Sequence, residues 1–181
     1  MQHEQQGRHV QREIAPAVQA DPGQREGRHR AQRPGQAAIA SVVWVAISLA
    51  FFGVRPGQTV IEITPGGGWY SEILAPYLRT SGTYIAANAT ATPDSGAGKR
   101  AAGLKAKFAA DPAHYDRVQW LDFDGKNPGF GAPGSADVVL TFRNVHNLTM
   151  NGGDVPANVF KAWFAMLKPG GTLGVVDHRL P

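Results

Sequence analysis

The chain of 181 residues contains no cysteine. Disulfide bonds, thiolate metal sites and cysteine nucleophiles are therefore excluded together, while the compartment stays open. A charged face of one sign is also lacking: the net charge is +4, but much of the positive charge is arginine near the N-terminus. Unpatterned charge of this kind gives little support to nucleic-acid binding, so we expect no nucleic-acid partner.

Residues 1–36 have few side chains that could form a core, and they are rich in Gln, Arg, His, Gly and Pro. This composition is typical of a disordered segment, or of one that does not belong to the native fold. The remaining residues, 37–181, are enough for one domain with a substantial core, and 43% of the whole chain is hydrophobic. The sequence therefore predicts a single domain over 37–181.

Residues 37–54 contain no charge at all. A stretch of about 18 apolar residues is near the lower limit for crossing a bilayer, so one interpretation is a membrane anchor or signal core. The other is a buried helix, because the run leads through Arg55-Pro56-Gly57 straight into a strand-like segment. We expect a cytoplasmic protein, with an exported or membrane-anchored form that contacts the membrane through residues 37–54 as the alternative.

Beyond residue 57, strand-like and helix-like segments alternate along the chain. The predicted strands are residues 59–63, 83–87, 117–121, 136–142 and 172–176, and the predicted helices are residues 69–78, 99–110 and 155–167. Alternation with short links is typical of a parallel sheet that helices cover on both faces. The predicted fold class is α/β.

A glycine-rich loop, Thr64 to Gly68, joins the first predicted strand to the first helix after it. Glycine lets the backbone turn sharply and approach a ligand, and the following helix offers free N–H groups; the plainer interpretation is a tight turn. A P-loop would need Gly-Lys-Ser/Thr, but this loop continues Gly68-Trp69-Tyr70. A dinucleotide fingerprint would need its third glycine at Ser71. These two nucleotide motifs are therefore not matched.

The loop resembles the first motif of the class I S-adenosylmethionine-dependent methyltransferases, an acidic residue followed by glycines at alternate positions. Glu62 takes the acidic position, Gly66 and Gly68 take the second and third glycines, and Thr64 stands at the first. The segment 167–173, Leu-Lys-Pro-Gly-Gly-Thr-Leu, is similar to the family's entry to its fifth strand. The resemblance covers about residues 49 to 181.

The resemblance implies a Rossmann-like three-layer αβα sandwich and the cofactor S-adenosyl-L-methionine. It assigns to the methionine part of the cofactor the residues Glu62, Pro65, Gly66, Gly67 and Gly68. Asn88 falls where the family has an acidic residue for the ribose hydroxyls, and asparagine forms no charge-assisted pair. Asp122 falls near the expected adenine amine with Phe123 as a ring neighbour, unless both belong to a solvated acidic loop.

The resemblance also places the residues after the fourth predicted strand beside the reactive methyl group. The candidates to bind an acceptor are Arg143, Asn144 and His146, and His146 is also the candidate to remove its proton, although such a cluster could instead bind loop carbonyls. The segment 177–179, Asp-His-Arg, is a second candidate group. Methyl transfer requires no metal, and the dispersed histidines and aspartates show no metal-ligand spacing, so we expect no metal.

The family's usual antiparallel C-terminal hairpin does not follow the fifth predicted strand, which ends close to Pro181. The sequence therefore predicts a mostly parallel sheet of about five strands, C-terminally incomplete, whose exposed edge favours a homodimer. The predicted function is methyl transfer to a small-molecule acceptor. The alternative is a domain that binds the cofactor without catalysis.

Overall fold

The computed structural model describes residues 36–124, 131–150 and 155–178. Apart from Gln36, the predicted N-terminal segment lies outside the described residues, and so does Arg179. The helices are α1 (Gln36–Phe51), α2 (Ser71–Leu78), α3 (Gly96–Ala109), α4 (Pro112–Tyr115), α5 (Val145–Met150) and α6 (Val155–Met166). The strands are β1 (Thr59–Ile63), β2 (Thr83–Ala89), β3 (Gln119–Phe123), β4 (Ala136–Phe142) and β5 (Leu167–Val176).

The five strands form one sheet in the order β3-β2-β1-β4-β5, and every neighbouring pair is parallel. β1 is central, because Ile63 lies opposite Ala87 of β2 on one side and Thr141 of β4 on the other. The chain winds outward from β1 first toward β3 and then toward β5, so the connections diverge at β1. In open α/β sheets a crevice forms at such a switch point, outside the carboxyl ends of the strands.

Hydrophobic side chains fill both faces of the sheet. Successive residues of a strand point to opposite faces, so Val60 joins one core, with Leu74 of α2 and Leu104 of α3, and Ile61 joins the other. The second core contains Trp163 of α6, which is 1% exposed. Helices therefore cover both faces, which confirms the predicted Rossmann-like α/β fold.

Helix α1 packs one side of its surface into the core. Val45 and Leu49 are buried there, whereas Trp44, Ile47 and Phe51 are 68%, 53% and 83% exposed. The charge-free run is thus a helix with one packed face and one exposed apolar face. Within the described ranges, no helix has both the length and the apolar character that crossing a membrane requires.

Residues 168–171, between the last predicted helix and the last predicted strand, belong to β5. Leu167 pairs with Ala136, but the next paired residue is Thr172, opposite Val138. Residues 168–171 therefore form an irregularity in the strand, and Gly170 turns the backbone there with a φ of 81°. The short helices α4 and α5 were not predicted, because so few residues show no periodic pattern.

Candidate active site

A cavity of about 570 Å³ opens beyond the carboxyl ends of β1 and β4. Its volume lies within the range of small-molecule sites, about 300–1,000 Å³. The cavity is lined by Trp44, Val45, Glu62, Thr64, Pro65, Gly66, Gly67, Trp69, Tyr70, Arg100, Phe142, Arg143, Asn144 and Asn147. The predicted glycine loop and two of the predicted acceptor-binding residues therefore lie around one space.

The glycine loop turns sharply as it leaves β1. Thr64 has a φ of 53°, and its N–H donates to the carbonyl of Ala87 over 2.7 Å. Gly66 also has a positive φ, 61°, and a Cβ added at Gly66 or Gly67 would meet nothing closer than 4.0 Å. The backbone at these two glycines is therefore open on the side where a side chain would stand, and a ligand can approach it closely.

Gly68 has a different role from Gly66 and Gly67. A Cβ at Gly68 would lie 2.3 Å from Cδ1 of Leu104, and its φ is 86°. The absence of a side chain lets α3 pack against the end of the loop. Gly68 thus allows close packing between the loop and α3, and it is not among the residues that line the cavity.

Glu62 is 2% exposed at the end of β1 and contributes to the cavity wall. The hydroxyls of Tyr84 and Ser71 both donate to its Oε2, over 2.6 and 2.7 Å. Burial raises the pKa of the Glu62 carboxyl to about 7, although these two hydrogen bonds act in the opposite direction. The predicted acidic residue is therefore anchored to α2 and β2 and titrates near neutral pH.

A second part of the cavity wall follows β4. Arg143 and Asn144 line the cavity as the first residues after the strand, and Asn147 lines it from α5. The ring of Phe142 stacks on that of Tyr70 with a centroid distance of 3.4 Å and an interplanar angle of 4°. This stack connects the two walls.

Several lining residues were not identified from the sequence. Tyr70 lies two residues after the predicted glycine loop and Phe142 directly before Arg143, so their position beside those predicted groups was an available signal. Trp44 on α1 and Arg100 on α3 carried no local signal, because their approach to the cavity depends on how the two helices pack on the sheet.

The residues predicted for the ribose and adenine lie outside the cavity lining. Asn88 is 6% exposed on β2, and among the described residues its Nδ2 has no hydrogen-bond partner. Asp122 lies opposite Asn88 on β3, with a side chain 59% exposed that forms an ion pair with Lys105 over 3.5 Å. Phe123 is 5% exposed and packs in the core on the α6 side of the sheet.

His146 is not among the lining residues, and its ring lies against Asp177. Its Nδ1 is 2.9 and 3.1 Å from the two carboxylate oxygens, and its backbone N–H donates to the same carboxylate. His178 also donates its backbone N–H, over 2.8 Å. Burial opposes ionisation of Asp177, but the hydrogen bonds from His146 and His178 outweigh it and lower the pKa to about 2.

No protein-family model matches this chain, and no curated protein sequence does either. Solved structures do match. An S-adenosylmethionine-dependent methyltransferase from Aquifex aeolicus aligns with a TM-score of 0.57 and 18% identity, over 74% of this chain and 63% of that one. One described as putative, from Methanococcus maripaludis, aligns with a TM-score of 0.55 and 22% identity, over 77% of this chain and 55% of that one.

The [4+2]-cyclase SpnF also matches, with a TM-score of 0.56 and 16% identity over 80% of this chain and 48% of the cyclase. The chain thus spans from about half to just under two thirds of the length of these three structures. Identities this low support a common fold alone, and one fold can serve more than one chemistry. With its five parallel strands and helices on both faces, this chain has the Rossmann-like fold of the class I S-adenosylmethionine-dependent methyltransferases.

Proposed function

We propose that the chain binds S-adenosyl-L-methionine in the cavity and transfers its methyl group to a small-molecule acceptor. The observation that carries this proposal is the cavity itself. It joins an open glycine backbone after β1 to the polar residues after β4, at the switch point where ligands of such sheets bind.

The residues of the cavity fit this cofactor. The open backbone at Gly66 and Gly67 suits the close approach of its methionine part. The sulfonium is cationic, and Glu62 offers a buried carboxylate that a nearby cation would keep ionised. Outside the cavity lining, Asn88 on β2 has a buried amide donor that needs an acceptor, and a ribose hydroxyl oxygen is one.

When bound, the cofactor supplies an electrophilic methyl group, and the protein supplies alignment. We assign acceptor binding to Arg143 and Asn144, because these polar residues line the same cavity as the glycine loop. The stacked rings of Tyr70 and Phe142 would exclude water between the two walls. Proton removal by His146 stays a prediction, because its ring contacts Asp177 and is not part of the cavity lining. Asp122 and Phe123 likewise stay predictions for the adenine.

Isothermal titration calorimetry with the full chain tests the proposal. We expect micromolar binding of S-adenosylmethionine and its loss in Gly66→Val, whose side chain would enter the space beside the loop. Gly53→Val is the matched control: Gly53 also has a positive φ, 73°, and open space around it, but it does not line the cavity. Absence of binding to the wild-type chain at millimolar cofactor would refute the proposal.

A second candidate function is cofactor binding without methyl transfer. Thr64 and Asn88 depart from the family's pattern, and a fold neighbour is described as a [4+2]-cyclase. A screen of pooled metabolites with S-adenosylmethionine labelled in its methyl group separates the two functions. Labelled product together with S-adenosylhomocysteine indicates a methyltransferase; binding by calorimetry without product from any pool favours the second function.

A further inference from the structure

Two imidazoles and a carboxylate meet beyond the ends of β4 and β5. His146 lies in the first turn of α5, shortly after β4, and Asp177 and His178 directly follow β5. His146 and Asp177 are 31 residues apart in the chain, but β4 and β5 are parallel neighbours, so their carboxyl ends coincide. The sheet therefore brings His146 to Asp177 and His178, from which it is distant in the sequence.

The potential ligand atoms of the three residues lie within 4.8 Å of one another. Nδ1 of His146 is 2.9 Å from Oδ1 of Asp177, and Nδ1 of His178 is 3.5 Å from the same oxygen. With metal–ligand bonds of about 2.05 Å, adjacent ligands are about 2.9 Å apart in an octahedron and about 3.3 Å apart in a tetrahedron. Both separations are thus close to those around a single ion.

Two backbone hydrogen bonds hold the carboxylate of Asp177 in place. The N–H groups of His146 and His178 both donate to it, over 3.0 and 2.8 Å. The side chain of Asp177 is 17% exposed, whereas those of His146 and His178 are 33% and 44% exposed. The cluster thus combines a fixed anion with imidazoles that an ion can reach from solvent.

We propose that His146, Asp177 and His178 form a binding site for a divalent transition-metal ion such as Zn²⁺. Imidazole nitrogen suits zinc, iron, nickel and copper, whereas Mg²⁺ and Ca²⁺ prefer ligands that are all oxygen. The ion would bind Nδ1 of His146 and the carboxylate of Asp177 together. Three protein ligands leave at least one coordination position open for water or another molecule. This proposal does not rest on the proposed methyl transfer, but it gives His146 the role of a metal ligand in place of the predicted proton removal. It also replaces the expectation that the chain has no metal site.

His114 and Asp111 provide an internal control. Nδ1 of His114 is 2.8 Å from Asp111, so this pair reproduces the contact between His146 and Asp177. Among the described residues, the only group that meets the geometry of a three-ligand site is the one at His146. The proposal therefore predicts metal binding at the three-residue group and none at the pair of His114 and Asp111.

The test is calorimetry of the full chain with Zn²⁺, at pH 7.5, after removal of any purification tag. His3, His9 and His29 are first replaced with glutamine, because these three histidines of the N-terminal segment could bind metal by themselves. We expect one equivalent of Zn²⁺ to bind, and Co²⁺ to give visible absorption bands from the same site. His178→Ala should weaken binding by at least about tenfold. His114→Ala should leave it unchanged.

Thermal melting of each variant without metal verifies that it folds, and His178→Ala is the deciding variant because its side chain is partly exposed. The proposal is overturned if Zn²⁺ shows no saturable binding at millimolar concentration. It is also overturned if His178→Ala binds as tightly as the parent, if His114→Ala weakens binding equally, or if Mg²⁺ binds as tightly as Zn²⁺.

Discussion

Thr64 and Arg143 adopt the same unusual backbone conformation at the ends of two neighbouring strands, and both line the cavity. Their φ angles are 53° and 54°, and among the described residues no other non-glycine residue has a positive φ. Each directly follows a strand, and each donates its N–H over 2.7 Å to a carbonyl of the neighbouring strand, Ala87 for Thr64 and Val176 for Arg143. The left-handed conformation costs a non-glycine residue about 1–2 kcal/mol, so both walls hold strain that the sheet maintains.

Replacing Thr64 with glycine should stabilise the protein. Glycine would remove the strain of the positive φ, which raises the free energy of unfolding. The greater entropy of glycine in the unfolded chain lowers this free energy by a smaller amount, so the net increase is about 1 kcal/mol. Urea denaturation measures this change. Thr83→Gly, within β2, is the control and should destabilise the protein; an equal loss in both variants would show that Thr64 is not strained.

The stability of the protein should fall as the pH rises from 5 to 8, because of Glu62. The pKa of Glu62 is raised from 4.5 to about 7 by burial, so the folded state binds a proton that the unfolded state has released. This stabilising contribution is complete below pH 4.5 and is lost as the pH rises through about 7. At about 1.4 kcal/mol per pKa unit, it amounts to about 3 kcal/mol.

Urea denaturation at several pH values between 5 and 8 measures the effect of Glu62. Glu62→Gln should show a much flatter dependence over this range. Glu72→Gln removes a carboxylate that is 37% exposed on α2 and pairs with Lys107, so it should retain the wild-type slope. Parallel curves for the wild type and Glu62→Gln would contradict the assignment.

Gly68→Ala and Gly103→Ala should change stability in opposite directions. At Gly68 the new Cβ would collide with Leu104 and occupy a positive φ, which costs about 2 kcal/mol or more. At Gly103, within α3, the Cβ would meet nothing within 4 Å, and alanine should stabilise the helix by about 0.5–1 kcal/mol. Chemical denaturation of both variants decides; equal effects would mean that α3 does not pack on the loop.

Asn88→Leu should separate stability from ligand binding. Removing a buried amide that has no partner among the described residues should raise the free energy of unfolding by about 1 kcal/mol. If the amide donates to a ribose hydroxyl, the same change should weaken S-adenosylmethionine binding by about five- to tenfold. Asn88→Asp should strengthen binding, because an acidic group forms charge-assisted hydrogen bonds. Unchanged affinity in both variants would exclude Asn88 from the site.

The bounds of the strand β4 could be predicted from the local sequence. Residues 136–142 were predicted as a strand, and the structure has β4 from Ala136 to Phe142. Both faces of the strand are covered, so five of its seven residues are buried and the apolar run is almost continuous. For β5, only residues 172–176 were predicted as a strand, but pairing of Leu167 with Ala136 extends it to Leu167.

The sequence by itself determined the α/β class, the order of helices and strands, and the glycine loop after β1, because hydrophobic period and turn chemistry act between neighbouring residues. Only the tertiary structure decided which distant residues meet. Strand order brings Arg143 and Gly66 to the same cavity, and it brings His146 to Asp177 and His178. Helix packing brings Trp44 and Arg100 to the cavity. These contacts depend on the pairing of whole strands and the docking of whole helices, which no local pattern encodes.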